Sequence, residues 1–407
     1  MTATGRDDCP KLRPYLAASV DPVQPGIQTL YDQVRISDTQ LALGPVDFEI
    51  LKRINGQTSI KEIHHQVQKT LGGGLILPLP VVARFIADLD QALFLDNSKF
   101  HAVVNAPVRK SSCIGCYDPD PKAFCGQMTE LFARFGPSEP RGEATDHMLG
   151  GLVVPHMDYQ RGAATYAHAY HHLMGQTNAK LFVILATSHY TDHPINLTRK
   201  HFQSPLGVIP TDIAYVDRIV DHLGDWVFED EVVAHFPEHS VELEAVILHF
   251  LRPGEKDIRI VPIVLGNIEK AMGSGKPGEE IEPLKKILEA LRMAQVGAKE
   301  PVCYLLSGDL AHIGPKFGDP VKLDGNRITA SRTKDKTVLD RLVEGSADGF
   351  LSQVGSEKNE RNICGLAPFW YGLKLMNGRP GKLLHYQQYV DPKWHESVSF
   401  TSVAYPL

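Results

Sequence analysis

Four apolar runs set the limits on what this chain can fold into. They are LGGLVVP (149–155), AKLFVILAT (179–187), DIRIVPIVLG (257–266) and PVCYLLSG (301–308). Each is too short to cross a membrane as a helix and too uniformly apolar for a strand with one wet face. They read as strands buried on both sides, and such a sheet needs helices to cover it. The sequence between them supplies helices over roughly 162–174, 211–223, 241–252, 281–295 and 327–345. A last helix follows Cys364, and strands at about 382–390 and 396–404 finish the chain. That order is α/β: a parallel or mixed sheet flanked by helices on both faces. No internal repeat is present, and the polar stretch MGSGKPGEEIE (272–282) reads as a mobile loop.

The first hundred residues follow another pattern. IQTLYDQVRISDTQLAL (27–43) alternates apolar and polar like a small hairpin. Three short helices follow: VDFEILKRI after Pro45, IKEIHHQVQKTL capped at Thr58-Ser59 and closed by Gly72-Gly73-Gly74, and VVARFIADLDQALFL after Pro78 and Pro80. Helices beside a hairpin predict a winged-helix-like domain over 1–100, a linker over 101–110 and the α/β domain over 111–407. At 407 residues the chain has room for two or three domains. Its 42 Lys and Arg against 48 Asp and Glu give 42 − 48 = −6, which excludes a strong electrostatic grip on nucleic acid or an anionic membrane. The start, MTATGRDDCPKLRPYL, lacks the apolar segment of a secretory signal. Six cysteines in so long a chain are no disulfide framework, so a cytoplasmic setting is expected.

Three of the four apolar runs lead straight into a histidine: His156 in VVPHMDY, His189 in ATSHY, and His312 in SGDLAH. Sites in open α/β sheets form at the carboxyl ends of strands, so these three residues should meet in one cleft. Any one of them alone would be read as a strand-end residue bonded to backbone. Cys364, in NICG at a helix start, adds a thiol that free amides and the helix dipole can turn to thiolate. His156, His189 and Cys364 would make a two-histidine, one-anion site with open positions, suited to non-haem Fe(II), with Cu or Zn as alternatives. His312 would then be an acid or base, with Asp309 in the same loop. Glu238, His239 and Glu242 in FPEHSVE are candidates to orient the histidines, Ser240 to cap the helix, and Asp158 adds a carboxylate beside His156. Cys113 and Cys116 form a CxxC with no second pair, which favours packing over zinc or redox work. His168 and His172 share a helix face without an evident third ligand. Phosphate-loop, dinucleotide and nucleophile-elbow motifs do not occur.

The ordered series PHMDY, ATSHY, SPLG, EHSVE, SGDLAH and NICG, spanning roughly 106–407, resembles the Memo family and the broader AmmeMemoRadiSam system protein B group. The resemblance implies the fold of class III extradiol ring-cleaving dioxygenases. It also implies metal ligands at His156, His189 and Cys364, a catalytic base at His312 and a loop aspartate at Asp309. This chain departs from the family pattern by carrying Met157-Asp158 after the first histidine and Ala186-Thr187 before the second. Cys364 stands where the dioxygenases place a carboxylate, and a softer ligand changes metal preference. The first hundred residues look similar to small winged-helix domains that bind peptides in peptide-modification pathways. Three functions follow: a metal-dependent, oxygenase-type enzyme acting on a small molecule or peptide residue; a non-catalytic metal-binding partner of a radical SAM protein and an AMMECR-like protein; and a hydrolase with Cys364 as nucleophile and His312 as base.

Overall fold

The structure is a computed structural model and describes residues 9–20, 24, 26–72, 76–113, 115–137, 146–252, 257–272, 274 and 276–407. Residues 1–8 of the N-terminal segment, Gly73-Gly74, Ile114 of the CxxC, and positions 273 and 275 of the Gly-rich stretch therefore lie outside the description. The chain divides into two compact units, Met1–Ala106 and Pro107–Leu407.

The first unit runs β1 (Leu16–Val20), β2 (Gln28–Asp32), β3 (Leu41–Leu43), α1 (Pro45–Leu51), α2 (Ile60–Leu71), α3 (Leu79–Gln91) and α4 (Ser98–Val104). The expected hairpin is the β2–β3 part of a three-stranded antiparallel sheet. Ser59 caps α2 by accepting from Glu62 N at 3.3 Å. Ile50, Ile63, Val67, Val82, Leu89 and Phe94 build the core. The segment expected to be a linker, 101–110, contains the division between the units at Ala106 and Pro107, and its first residues are the end of α4. Asn97 Oδ1 accepts from Lys99 N and Phe100 N and starts α4, whose Phe100 and Val104 lie one turn apart and are buried.

The second unit begins with β4 (Val108–Arg109) and α5 (Pro121–Phe135), then β5 (Leu149–Val154), α6 (Tyr159–Gln176), β6 (Leu181–Thr187), β7 (Ile195–Leu197), β8 (His201–Ser204) and β9 (Gly207–Ile209). It continues with α7 (Ile213–Leu223), α8 (Glu231–His235), α9 (His239–Leu251), β10 (Arg259–Leu265), α10 (Glu269–Met272), α11 (Leu284–Val296), β11 (Val302–Ser307) and β12 (His312–Ile313). The last elements are α12 (Gly325–Val343), α13 (Ala347–Ser356), α14 (Leu366–Leu375), β13 (Lys382–Val390) and β14 (Ser397–Pro406). The four apolar runs are the parallel centre of a mixed sheet, in the spatial order β5-β11-β6-β10. β14 and β7 flank this centre antiparallel, and β12 and β13 pair with β14.

Each central strand feeds two cores because successive side chains point to opposite faces. Leu181, Val183, Leu185, Val261, Ile263, Tyr304 and Leu306 join one core, with α7, α11 and α14. Phe182, Ile184, Ile260, Val264, Cys303 and Leu305 join the other, with α5, α6 and α9. The stretch expected to be a mobile loop includes a 3-10 turn, Gly278–Glu280, and its Gly278 is buried so close to the Trp370 ring that a methyl group would not fit. None of the six cysteines is in a disulfide, and no helix among the described residues is long and apolar enough to cross a membrane.

One fully buried ion pair ties the start of this unit to α9. Arg109 pairs with Glu242 and also donates to the carbonyls of His235, Phe236 and Glu238. Glu242 in turn accepts from Ser112 N, Cys113 N and Tyr117 OH. Burial pushes the Glu242 carboxyl up, but Arg109, Tyr117 and Ser112 together outweigh it and hold the carboxyl below its usual range. Replacing Arg109 with Met should therefore strand a buried carboxylate and cost about 3–5 kcal/mol, read from urea unfolding, whereas Arg109→Met with Glu242→Met should recover much of the loss. A single variant as stable as the wild type would show that the pair does not hold this region.

Candidate metal centre

Parallel pairing of β5, β11 and β6 puts three chain segments side by side at one sheet edge. His156 follows β5, Asp309 follows β11, and His189 follows β6. α9 brings Glu238 and His239 to the same edge, and the turn before α14 brings Cys364. Two overlapping groups of potential ligand atoms result: His156, His189 and His239, and His156, Asp309 and Cys364, each within 4.8 Å. The His156 ring is closed off at 2% exposure, while His189 and His239 are open at 29% and 32%, so the site has a solvent-facing side.

Hydrogen bonds fix which ring nitrogens are available. Glu238, fully buried, accepts from His189 N at 2.9 Å and lies 2.9 Å from His189 Nδ1 and 3.2 Å from His239 Nδ1. A carboxylate there engages each Nδ1 and leaves Nε2 as the nitrogen that a ligand would meet once its hydrogen is given up. Burial pulls the His189 imidazole down, but the charges and hydrogen bonds of Glu238 and Cys364 together outweigh it and raise its pKa well above the usual value. Burial raises Glu238, and the charges and hydrogen bonds of His189 and His239 together outweigh that, so the carboxyl sits well below its usual range. Burial, reinforced by His189 and His239, drives His156 well below the ordinary imidazole value.

Cys364 Sγ lies 3.2 Å from His156 Nε2 and accepts from Asp309 N at 3.2 Å. The loop is pinned by Thr187 Oγ1 donating to Cys364 O at 2.9 Å and Gly365 N donating to Asp309 O at 3.0 Å. Gly308 permits this approach, since a methyl there would lie 2.5 Å from Gly365 Cα. The helix start was expected to lower the thiol pKa. Burial raises it instead, with His189 as the main opposing influence, because Cys364 precedes the first turn of α14 and loses water there. Cys364 Sγ and His156 Nε2 thus set a soft thiol beside an imidazole nitrogen. This donor set fits a borderline transition metal.

His312 stands apart from the two groups. Its Nδ1 lies 3.1 Å from both Leu310 O and Asn362 O, and carbonyls only accept, so Nδ1 carries the hydrogen and Nε2 the lone pair. Burial lowers His312 to about 4. Asp309, in the same loop, makes its contacts with His156. The Asp309 carboxylate accepts from His156 N at 3.2 Å and lies 3.8 Å from His156 Nε2, and burial raises its pKa to about 7.

Other expectations need correction. Glu242 does not orient a ligand histidine, because its oxygens are taken by Arg109, Ser112, Cys113 and Tyr117. Asp158 caps α6 through Gln160 N and Arg161 N and pairs with Arg161. Ser240 is not the cap of α9; Glu238 is, and Ser240 Oγ donates to Thr187 O at 2.9 Å. Cys113 and Cys116 pack in and against the core. His168 stacks on His385 at 4.9 Å. Sequence reasoning missed Asn362, which grips His312, and also Ser307 and Glu244. A glutamate inside the apolar run VELEAVILHFL was the available signal for the last. Beside His189 and Cys364 lies a cleft of about 210 Å³, lined by Asn267, Glu269, Asn362, Ile363 and Leu366 among others.

Residues 109–404 match the family described as Memo-like protein. A MEMO1 family protein of Aquifex aeolicus is 24% identical over 381 residues, covering 92% of this chain and 94% of its own. One from Caldivirga maquilingensis is 26% identical, covering 62% and 82%, and one from Methanopyrus kandleri is 24% identical, covering 66% and 88%.

The His312 environment generates a pH prediction for the metal-free protein. Its folded pKa of about 4 lies below the 6.5 of a free imidazole, so between these values the unfolded chain binds a proton that the folded one refuses. The contribution is fully present above about pH 6.5 and is lost as pH falls towards 4. Urea midpoints in the presence of a chelator should drop less between pH 7 and pH 5 in His312→Gln than in the wild type. An equal drop would place His312 in a solvated setting.

Proposed function

This chain belongs to the Memo-like protein family, and from that premise we propose that it is a metal-dependent redox enzyme whose ion is held by His156, His189 and Cys364. The observation that carries the reading is that two groups of potential ligand atoms, one holding His189 and the other Cys364, share His156 at one solvent-facing sheet edge, with Glu238 engaging His189 Nδ1 and Cys364 Sγ beside His156 Nε2. Asp309 and His239 border the same space and are candidates for a further ligand or for holding a bound water. Iron(II) is the ion proposed, with copper or zinc as alternatives; when bound it would supply Lewis acidity and redox chemistry. His156 closes the inner side of the site, and His189 and Cys364 line the cleft where a small molecule or a peptide side chain would enter. His312, with Nδ1 committed to two carbonyls, presents an unprotonated Nε2 at neutral pH and would take a proton from substrate as general base.

The N-terminal unit is proposed as the binding module rather than a source of ligands. We read it as winged-helix-like and peptide-binding. Among the described residues β3 pairs on one side only, with β2, and a cavity of about 250 Å³ lies between β3 and Val81, Arg84 and Phe85 of α3. Its partners would be a peptide substrate, or a radical SAM protein and an AMMECR-like protein in one system.

A second reading has one observation in its favour: the Cys364 thiol is hydrogen-bonded to an imidazole, as in a cysteine hydrolase. That imidazole belongs to His156, not to His312 as was expected. Activity that survives a chelator would favour it.

The first reading predicts one transition metal per chain in protein purified without added metal. Cys364→Ser should weaken binding strongly, because it removes a soft, charged ligand. His312→Ala should keep metal affinity while lowering oxygen consumption of the iron-loaded protein about 10²–10⁴-fold. Unchanged metal content in both His156→Ala and His189→Ala would remove the basis for the reading.

A further inference from the structure

The carboxyl that the site above does not use is Glu244. It projects from α9 and is fully buried. Its partners are two hydroxyls: Tyr170 OH donates to Oε2, and Ser307 Oγ lies 3.4 Å from Oε1. Ser307 Oγ also lies 3.4 Å from His156 Nδ1 and 2.7 Å from Ser240 O.

Counting hydrogens gives each bond a direction. A serine hydroxyl has one hydrogen and two lone pairs. Ser240 O can only accept and is the nearest partner, so it takes that hydrogen. The two remaining neighbours must then donate to Ser307 or face its lone pairs. For His156 this means Nδ1–H, which turns the Nε2 lone pair towards Cys364 Sγ, 3.2 Å away. For Glu244 it means the acid form, with Oε1–H donating to Ser307 and Oε2 accepting from Tyr170. Every buried polar atom of the chain from Tyr170 to His156 is then satisfied, whereas an ionised Glu244 would compete with Ser240 O for a single hydrogen. Burial also favours the acid form: desolvation raises Glu244 well above the usual carboxyl range, the Tyr170 and Ser307 hydrogen bonds only partly oppose it, and the Asp309 charge adds to it.

We infer that Ser307 and acid-form Glu244 are positioning residues for His156: the acid donates to Ser307, Ser307 is held as the acceptor of Nδ1–H, and Nε2 is thereby presented to the metal centre. The inference rests on the reading of His156 as a ligand. It assigns to His156 a neutral hydroxyl–acid support, where His189 has the ionised Glu238. Partners of this kind typically alter metal affinity by about 10–100-fold.

The test uses the full-length protein. In the metal-free wild type, nitrogen-15 NMR of His156, assigned by its loss in His156→Ala, should show the Nδ1–H tautomer. Infrared spectra at neutral pH should show a neutral carboxylic acid carbonyl stretch that disappears in Glu244→Gln and is distinct from any band lost in Asp309→Asn. Ser307→Ala removes the acceptor and should shift His156 towards Nε2–H, which can then donate to Cys364 or Asp309. Ser307→Thr keeps the hydroxyl and should keep the tautomer, as should Glu244→Gln, whose amide donates to Ser307 and accepts from Tyr170. Competition for Co²⁺ against a coloured chelator should be about 10–100-fold weaker in Ser307→Ala and near wild type in Ser307→Thr. An Nε2–H tautomer in the wild type, no acid band assignable to Glu244, or an unchanged tautomer in Ser307→Ala would overturn the inference. The two wild-type spectra decide it even where a variant does not fold. A wild type that binds no Co²⁺ would instead overturn the metal reading, while the tautomer and infrared results would still decide the hydrogen-bond directions.

Discussion

The buried Arg109–Glu242 pair is the contact on which the site's geometry depends. A guanidinium with no exposure is tolerable only when each of its donors meets an acceptor, and Arg109 meets Glu242, Ser112 and the carbonyls of residues 235, 236 and 238. Those carbonyls belong to the turn that leads into α9. The turn places Glu238, and α9 then carries His239, Ser240 and Glu244 inward at fixed offsets. One ion pair far from any ligand thus sets the position of the carboxylate that holds two imidazoles.

The second tier of organisation is a set of hydroxyl bonds across the sheet edge. Thr187 Oγ1 reaches Cys364 O, Ser240 Oγ reaches Thr187 O, and Ser307 Oγ reaches Ser240 O. Small side chains at strand ends let backbone segments approach closely, and Gly308 against Gly365 does the same where no side chain fits. Together they hold the candidate ligands on three strand ends and one turn. Preorganisation of that kind spares the ion the cost of ordering its own ligands.

The opposed electrostatics of the histidines follow from their neighbours. His189 faces an ionised carboxylate and is drawn towards the charged form, whereas burial, reinforced at His156 by the neighbouring imidazoles, makes His156 and His312 resist charging. Pairs of like groups pushed apart in this way mark different tasks within one site.

The sequence by itself determined the sheet and the histidines at its edge. Wholly apolar runs of six or seven residues cannot be anything but central strands in an α/β chain, and a histidine directly after such a strand must emerge at its carboxyl end. Elements with weaker signals escaped: β1, whose residues are half-wet; α4, read as a linker although Asn97 caps it; and α13. What the sequence could not determine was the direction of each polar side chain. Glu238 and Glu242 stand one helical turn apart in the same motif, yet one grips the histidines and the other an arginine 133 residues away in the chain. Asp309 turns to His156 and not to His312, and Glu244 acquires a role only because β11 sets Ser307 between it and His156. Apolar patterning is local and survives in one dimension, whereas a hydrogen bond depends on which distant atom lies within about 3 Å, and only the packed tertiary structure decides that.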